Sequence, residues 1–255
     1  EASGKLALGK LMEPQIFDIT FNASPAKLDP FIKLAGQERF NIISGEVMIN
    51  GNLSGDIRKL RGGSILDRIR GISGEIFVPD EGIKVTAANH IVTNPNRIDA
   101  KFQKGLLNLN SFKLVDQSAV NGSASSISAF GQWNIDGDKF FDATVNLDMG
   151  FVSEVIRKPD YLNGLLSFRV EARGQTVKCN WPLTNTEGKQ KLVVGQATID
   201  RFEGAVTYQN QEIRVERMLV SSGNNRVIVI GKVPTAGKIE LSVDGRLNDM
   251  SILSL

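Results

Sequence analysis

With 255 residues and 41% apolar content the chain can bury a sizeable core, as one large β domain or two smaller ones. Its 30 Lys and Arg and 28 Asp and Glu are interspersed, so there is no basic footprint for nucleic acid or for an anionic membrane surface. Aromatics are only 7%, too few for a stacking platform, and the lone cysteine, Cys179, excludes an intramolecular disulfide or a cysteine metal cluster.

The chain opens at Glu1-Ala2-Ser3-Gly4 and closes at Ser251-Ile252-Leu253-Ser254-Leu255 in mid-pattern. Both ends read as cuts from a longer protein, with residues 1–16 as the leading strand of a preceding unit and any signal or anchor outside the segment. Phe17 to Asn22 then predicts a strand. Ser24 before Pro25 suits an N-cap followed by proline at the first helical position, so Pro25 to Leu34 predicts a short helix.

From Ile43 to Ser54 the odd positions read Ile43, Gly45, Val47, Ile49, Gly51, Leu53 and the even ones Ser44, Glu46, Met48, Asn50, Asn52, Ser54. A period of two gives a strand one apolar and one polar face. Ser64 to Ile69 supports a helical turn. The alternation returns at Ile83, Val85, Ala87; at Ile98, Ala100, Phe102; at Ala143, Val145, Leu147; at Leu166, Phe168, Val170, Ala172; and at Ile239, Leu241, Val243. Phe151 to Ile156 predicts a second short helix. Turn signals lie between these strands at Asn50-Gly51, Asp136-Gly137-Asp138, Asn163-Gly164 and Gly223-Asn224-Asn225. Consecutive antiparallel strands are the expected architecture, and apolar runs such as Val227 to Ile230 fall far short of the roughly 18 residues that cross a bilayer as a helix.

The pattern repeats. Phe17-Asp18-Ile19-Thr20-Phe21-Asn22, a short helix and Ile42 to Ile49 parallel Phe141-Asp142-Ala143-Thr144-Val145-Asn146, a short helix and Tyr161 to Phe168. Arg97 to Phe102, leading to Leu107, Leu109, Phe112 and Leu114, parallels Arg201 to Val206, leading to Ile213, Val215, Met218 and Val220. These repeats divide the chain into a first unit at 17–140, a second at 141–237 and the start of a third at 238–255, stacked in one dimension.

Chemistry is sparse. A nucleophile triad or an imidazole metal site would have to be built around the lone His90, and nothing in Val177-Lys178-Cys179-Asn180-Trp181 activates the thiol, which reads as a packed side chain. Asn134-Ile135-Asp136-Gly137-Asp138 lacks the closing glutamate of a calcium loop and reads as a hairpin turn. No enzyme activity, metal or cofactor is expected.

Ser44-Gly45-Glu46-Val47 followed by Asn50-Gly51-Asn52-Leu53-Ser54-Gly55-Asp56 resembles the phrase "sGxvxlxGxlsG" that recurs in TamB and the AsmA-like proteins of bacterial envelopes. Phe17 to Asn22 with Leu28-Asp29-Pro30-Phe31 is similar to the strand and short helix that precede that phrase. The likeness is clearest over 17–60, 71–115 and 196–255; Leu165-Leu166-Ser167-Phe168 departs from it. The resemblance implies an all-β fold, an elongated curled sheet called a β-taco or repeating β-groove. It also implies a periplasmic role within a longer, inner-membrane-anchored protein that carries phospholipid acyl chains between membranes. An Omp85-type outer-membrane partner, bound outside this segment, is implied for the TamB branch; the interspersed charge predicts no nucleic-acid partner.

The apolar parity of the strands nominates a lipid-groove lining of Ile43, Val47, Ile49, Leu53, Ile83, Val85, Leu107, Leu109, Phe168, Val170, Ile213 and Val215. Two other readings stay open: a structural or adhesive β-sandwich or β-helix module whose apolar faces form a dry core, and a β-helical polysaccharide lyase, which the shortage of histidine disfavours.

Overall fold

The computed structural model describes residues 2–7, 16–23, 25–27, 43–58, 64–87, 90–118, 125–135, 137, 139–156, 158, 160–181, 192–235 and 238–247. The fold is mostly antiparallel β, in a large open sheet with a separate small one. The chain divides into one unit of residues 1–117 and 128–141 and another of residues 118–127 and 142–255.

In the first unit the elements are β1 (Ala2–Ala7), β2 (Ile16–Asn22), β3 (Ala26–Lys27), β4 (Ile43–Val47), β5 (Asn50–Asp56), α1 (Ile65–Arg70), β6 (Ile72–Val78), β7 (Ile83–Ala87), β8 (His90–Thr93), β9 (Ile98–Gln103) and β10 (Leu106–Asp116). Helix α1 is closed by a capping box: Ser64 Oγ accepts from the Asp67 amide and the Asp67 carboxylate from the Ser64 amide. Hydrogen bonding joins β1-β2-β5-β6-β9-β10 in one run and β3-β4-β7-β8 in another, and β10 spans both, pairing with β9 through its first half and with β8 at Val115 and Asp116.

The two runs continue each other. β2 and β3, β5 and β4, β6 and β7, and β9 and β8 are each one strand interrupted, and the interruptions face one another across the sheet. Ala23 N–H donates to Ile49 O at 2.9 Å, Met48 N–H to Gly82 O at 2.7 Å and Glu81 N–H to Asn94 O at 2.8 Å. This line forms a seam. Pro25, Pro79 and Pro95 sit on it, and proline has no N–H to give a ladder, so strands break where it falls. Asn94, 0% exposed, replaces the missing bonds: its Oδ1 accepts from Ile83 N–H at 2.7 Å and its Nδ2 donates to Pro79 O at 2.7 Å and Asn96 O at 3.0 Å.

Strands β11 (Ser126–Asn134) and β12 (Lys139–Asp148) each contribute residues to both units. The second unit continues with α2 (Met149–Val155), β13 (Leu162–Asn163), β14 (Leu165–Arg173), β15 (Thr176–Trp181), β16 (Leu192–Val194), β17 (Ala197–Ile199), β18 (Arg201–Gln209), β19 (Glu212–Ser222), β20 (Asn225–Pro234) and β21 (Glu240–Arg246). Asp148 caps α2 by accepting from Gly150 N–H at 2.8 Å. The chain β14-β15-β18-β19-β20-β21 is an antiparallel meander, and β13-β16-β17 form the small sheet. Interruptions recur here too, at Gly164 between β13 and β14 and at Asp200 between β17 and β18. Helix α2 packs on β13 and β17 on β19, and Leu192, Ala197, Ile199 and Leu219 are buried there.

Two local expectations give way to long-range pairing. Ala26 and Lys27, read as helical, are extended because they pair with Val47 and Glu46; residues 28–34 lie outside the described residues. Asn50-Gly51, read as a turn, is strand interior, held by β2 on one side and β6 on the other. The expected helices at 64–69 and 151–156 are α1 and α2. Asn134 O accepts from Gly137 N–H at 3.1 Å in a turn, with Asp136 and Asp138 outside the described residues.

Candidate functional site: one apolar face in each unit

Residues directly opposite across paired strands share a face. In the first unit one row runs Ile19, Leu53, Gly74, Phe102, Leu107, and the next Phe21, Gly51, Ile76, Ala100, Leu109. Between them the other face carries Thr20, Asn52, Glu75, Lys101 and Asn108. Beyond the seam, Val47 pairs with Ile83 and Val85 with Gly45 and Val92. In the second unit Val170, Cys179, Val206, Val215, Gly231 and Leu241 make one row, and Trp181, Gly204, Met218, Val229 and Val243 another. Glu171, Lys178, Thr207, Arg214, Lys232 and Glu240 line the opposite face.

The glycines in these rows are seats for neighbouring side chains. A Cβ on Gly51 would lie 2.7 Å from the Phe21 ring, one on Gly55 2.7 Å from the Phe17 ring, and one on Gly74 2.8 Å from a Leu53 methyl. Bulky groups thus lie across strand backbone, which smooths the face.

This apolar face is not fully covered. Ile19 is 41% exposed, Ile76 38%, Ile213 38% and Val243 65%, and β21 is exposed along its whole length. The buried apolar side chains among the described residues are few: Ile98, Ala129, Ala143, Leu192, Ala197, Ile199 and Leu219. An aromatic cluster breaks the aliphatic pattern in the second unit, where Trp181 stands 5.9 Å from Phe168 and 6.0 Å from Phe202 between ring centroids.

Of the nominated lining, Leu53, Leu107 and Leu109 share the face of the first run, Val47, Ile83 and Val85 the second, and Val170, Ile213 and Val215 lie together in the second unit, with Phe168 beside Trp181. Ile43 pairs with Ala87 at the end of β4, and its side chain lies outside the described residues. Ile49 is in the seam, between β4 and β5, rather than in a strand. The structure adds Phe17, Ile19, Phe21, Ile72, Ile76, Phe102, Val206, Met218, Val220 and Val229 to the same faces; the period of two runs through those strands as well.

A polar pair joins β8 to β10 on this side of the first unit. His90 Nδ1 is 2.6 Å from Asp116 Oδ2, and Asp116 is 3% exposed. Sequence spacing gives no sign of it, because β8 meets β10 only through the fold. Burial raises the Cys179 thiol above its ordinary range, which makes it a poorer nucleophile. On the polar side, Asp142, 5% exposed, is ion-paired with Arg169, and this partner holds its carboxyl below the usual range. Arg97 bridges Glu75 at 2.8 Å and Asp99 at 2.5 Å with its guanidinium 3.7 Å over the Phe77 ring. No group of three metal-ligating side chains occurs among the described residues, and none of their helices is long and apolar enough to cross a membrane.

Comparison with family models, with curated proteins and with solved structures finds no match to this chain.

Proposed function

We propose that this chain is a segment of a periplasmic lipid-transport bridge, in which the sheet bends along its seam and its apolar face holds phospholipid acyl chains between inner and outer membranes. The observation that carries this reading is the continuity of apolar rows across consecutive strands together with their partial exposure. A dry core of the same rows would bury them, whereas Ile19, Ile76 and Ile213 each keep more than a third of their surface. An acyl chain laid on them gains about 25 cal/mol for each Å² withdrawn from water, and its headgroup stays in solvent. The TamB and AsmA-like resemblance of the glycine-punctuated strands supports the same role, without catalysis, and an Omp85-type partner would be met through regions outside this segment.

The test is lipid capture. Photocrosslinkers at Val47 and Val215, with Glu46 and Arg214 as controls on the opposite face, should trap phospholipid only from the first pair, and native mass spectrometry of the purified chain should show bound lipid. Equal trapping from both faces, or none, would remove the transport reading in favour of an interaction module.

A further inference from the structure

On the polar face of the second unit the register sets Arg226 of β20 directly opposite Arg246 of β21, and Ser221 of β19 directly opposite Arg226. Two guanidinium groups opposite each other repel. Two other cations on this face have carboxylate partners: Arg201 reaches Glu203 at 2.9 Å and Arg214 reaches Glu212 at 3.5 Å. Among the described residues no carboxylate lies within 4.0 Å of either Arg226 or Arg246. The β19–β20 turn brings Asn224 and Asn225 to the same place, where a cleft of about 450 Å³ is lined by Ser221, Gly223, Asn224, Asn225, Arg226, Ile228, Asp244 and Arg246. The Asp200 carboxylate stands just behind that lining, where it accepts the Gly223 amide at 2.5 Å.

We propose that this cleft binds the phosphate of a phosphodiester, clamped between Arg226 and Arg246. Among the side chains that line the cleft, two arginines against Asp244 leave one net positive charge, which a monoanion neutralises and a phosphate dianion exceeds. A phosphodiester spreads one negative charge over two diverging oxygens, one for each guanidinium, while a carboxylate offers both oxygens on one edge and satisfies a single arginine fork. Ser221 supplies a neutral hydroxyl at the rim. The site stands independently of the acyl-chain reading, since it uses the opposite face of the sheet.

The experiment follows the arginine Nε–Hε signals of the full chain by NMR during titration with dimethyl phosphate, inorganic phosphate, acetate and a dispersed short-chain phosphatidylglycerol. Dimethyl phosphate should shift Arg226 and Arg246 saturably. Arg226→Ala and Arg246→Ala should each weaken binding by about fivefold or more, and Asp244→Asn should tighten it by about threefold. Phosphatidylglycerol binding at least as tightly as dimethyl phosphate assigns the phosphodiester to a lipid headgroup; tighter binding of dimethyl phosphate assigns it to a soluble ester. Saturation by acetate or inorganic phosphate at equal or greater strength, unchanged affinity in both arginine variants, or no saturable shift at all would overturn the clamp.

Discussion

At Asn94 one side chain does the work of a missing stretch of ladder. Its amide is wholly removed from water and bonds to backbone on both interrupted strands, so Asn94→Ala leaves Ile83 N–H and Pro79 O without those partners. The expected cost is about 1–3 kcal/mol for each group left unpaired and dry, read from the midpoint of urea unfolding with little change in slope, and Asn94→Asp should recover only the bond accepted from Ile83. Asp142 behaves differently. Its hydrogen bond and ion pair with Arg169 lower its folded pKa, so as the medium acidifies the unfolded carboxyl takes up its proton first. The stabilisation is complete above the unfolded value of about 3.9 and disappears as pH falls through the lower folded value. Thermal melts of Asp142→Asn should therefore lie below those of the parent chain at pH 7, with the gap closing only in strong acid; a gap independent of pH would show that packing, not charge, is what Asp142 supplies.

Strands in this chain are shaped by what their glycines admit. Gly51 is buried near the start of β5 with an ordinary strand pairing on both sides, and the Phe21 ring fills the space its missing side chain leaves. Glycine weakens a strand by its backbone freedom, but here alanine would meet both that ring and the Glu75 carbonyl, at 2.6 Å. Gly51→Val should consequently destabilise by about 2–3 kcal/mol despite its better strand propensity, whereas Gly174→Asn, at a left-handed turn with open space around it, should be nearly neutral. Circular dichroism melts of the two variants make the comparison; a stabilised Gly51→Val chain would mean that Phe21 has room to turn aside. The seam belongs to the same scale. Prolines break adjacent strands at matching levels, and short cross-seam hydrogen bonds keep the pieces in register.

For the molecule as a whole, the two faces of β19 separate a dry site from an accessible one. Leu219 is 2% exposed, while Val215, four residues earlier in the same strand, lies on the apolar row shared with Val170 and Val206. Leu219→Asp should unfold the second unit, with a loss of roughly 4 kcal/mol or more from an unpaired buried charge. Val215→Asp should leave the sheet largely folded, because that carboxylate can reach water, yet it should abolish lipid capture from neighbouring positions. Near-ultraviolet circular dichroism around Trp181 reports the first effect and crosslinking the second. Equal unfolding by both substitutions would show that the Val215 row is sealed, as in a sandwich core.

The alternation from Ile43 to Ser54, and its returns at Ile83, Ile98, Leu166 and Ile239, was enough to place strands and sort their residues into an oily and a wet face, because a pleated backbone turns successive side chains to opposite sides whatever lies beside it. The helices at 64–69 and 151–156 were equally legible, since a cap and its first turn are local in sequence. Partners were not. Nothing in the order of residues says that Ile19 sits opposite Leu53, that Gly51 takes the Phe21 ring, that His90 meets Asp116 or that Arg226 faces Arg246, because each depends on a register set by pairing between distant segments. The same pairing drew Ala26 and Lys27 out of the helix their prolines suggested and aligned the strand breaks into a seam. Local sequence determined what each strand offers on either side, and tertiary structure alone decided which offerings meet.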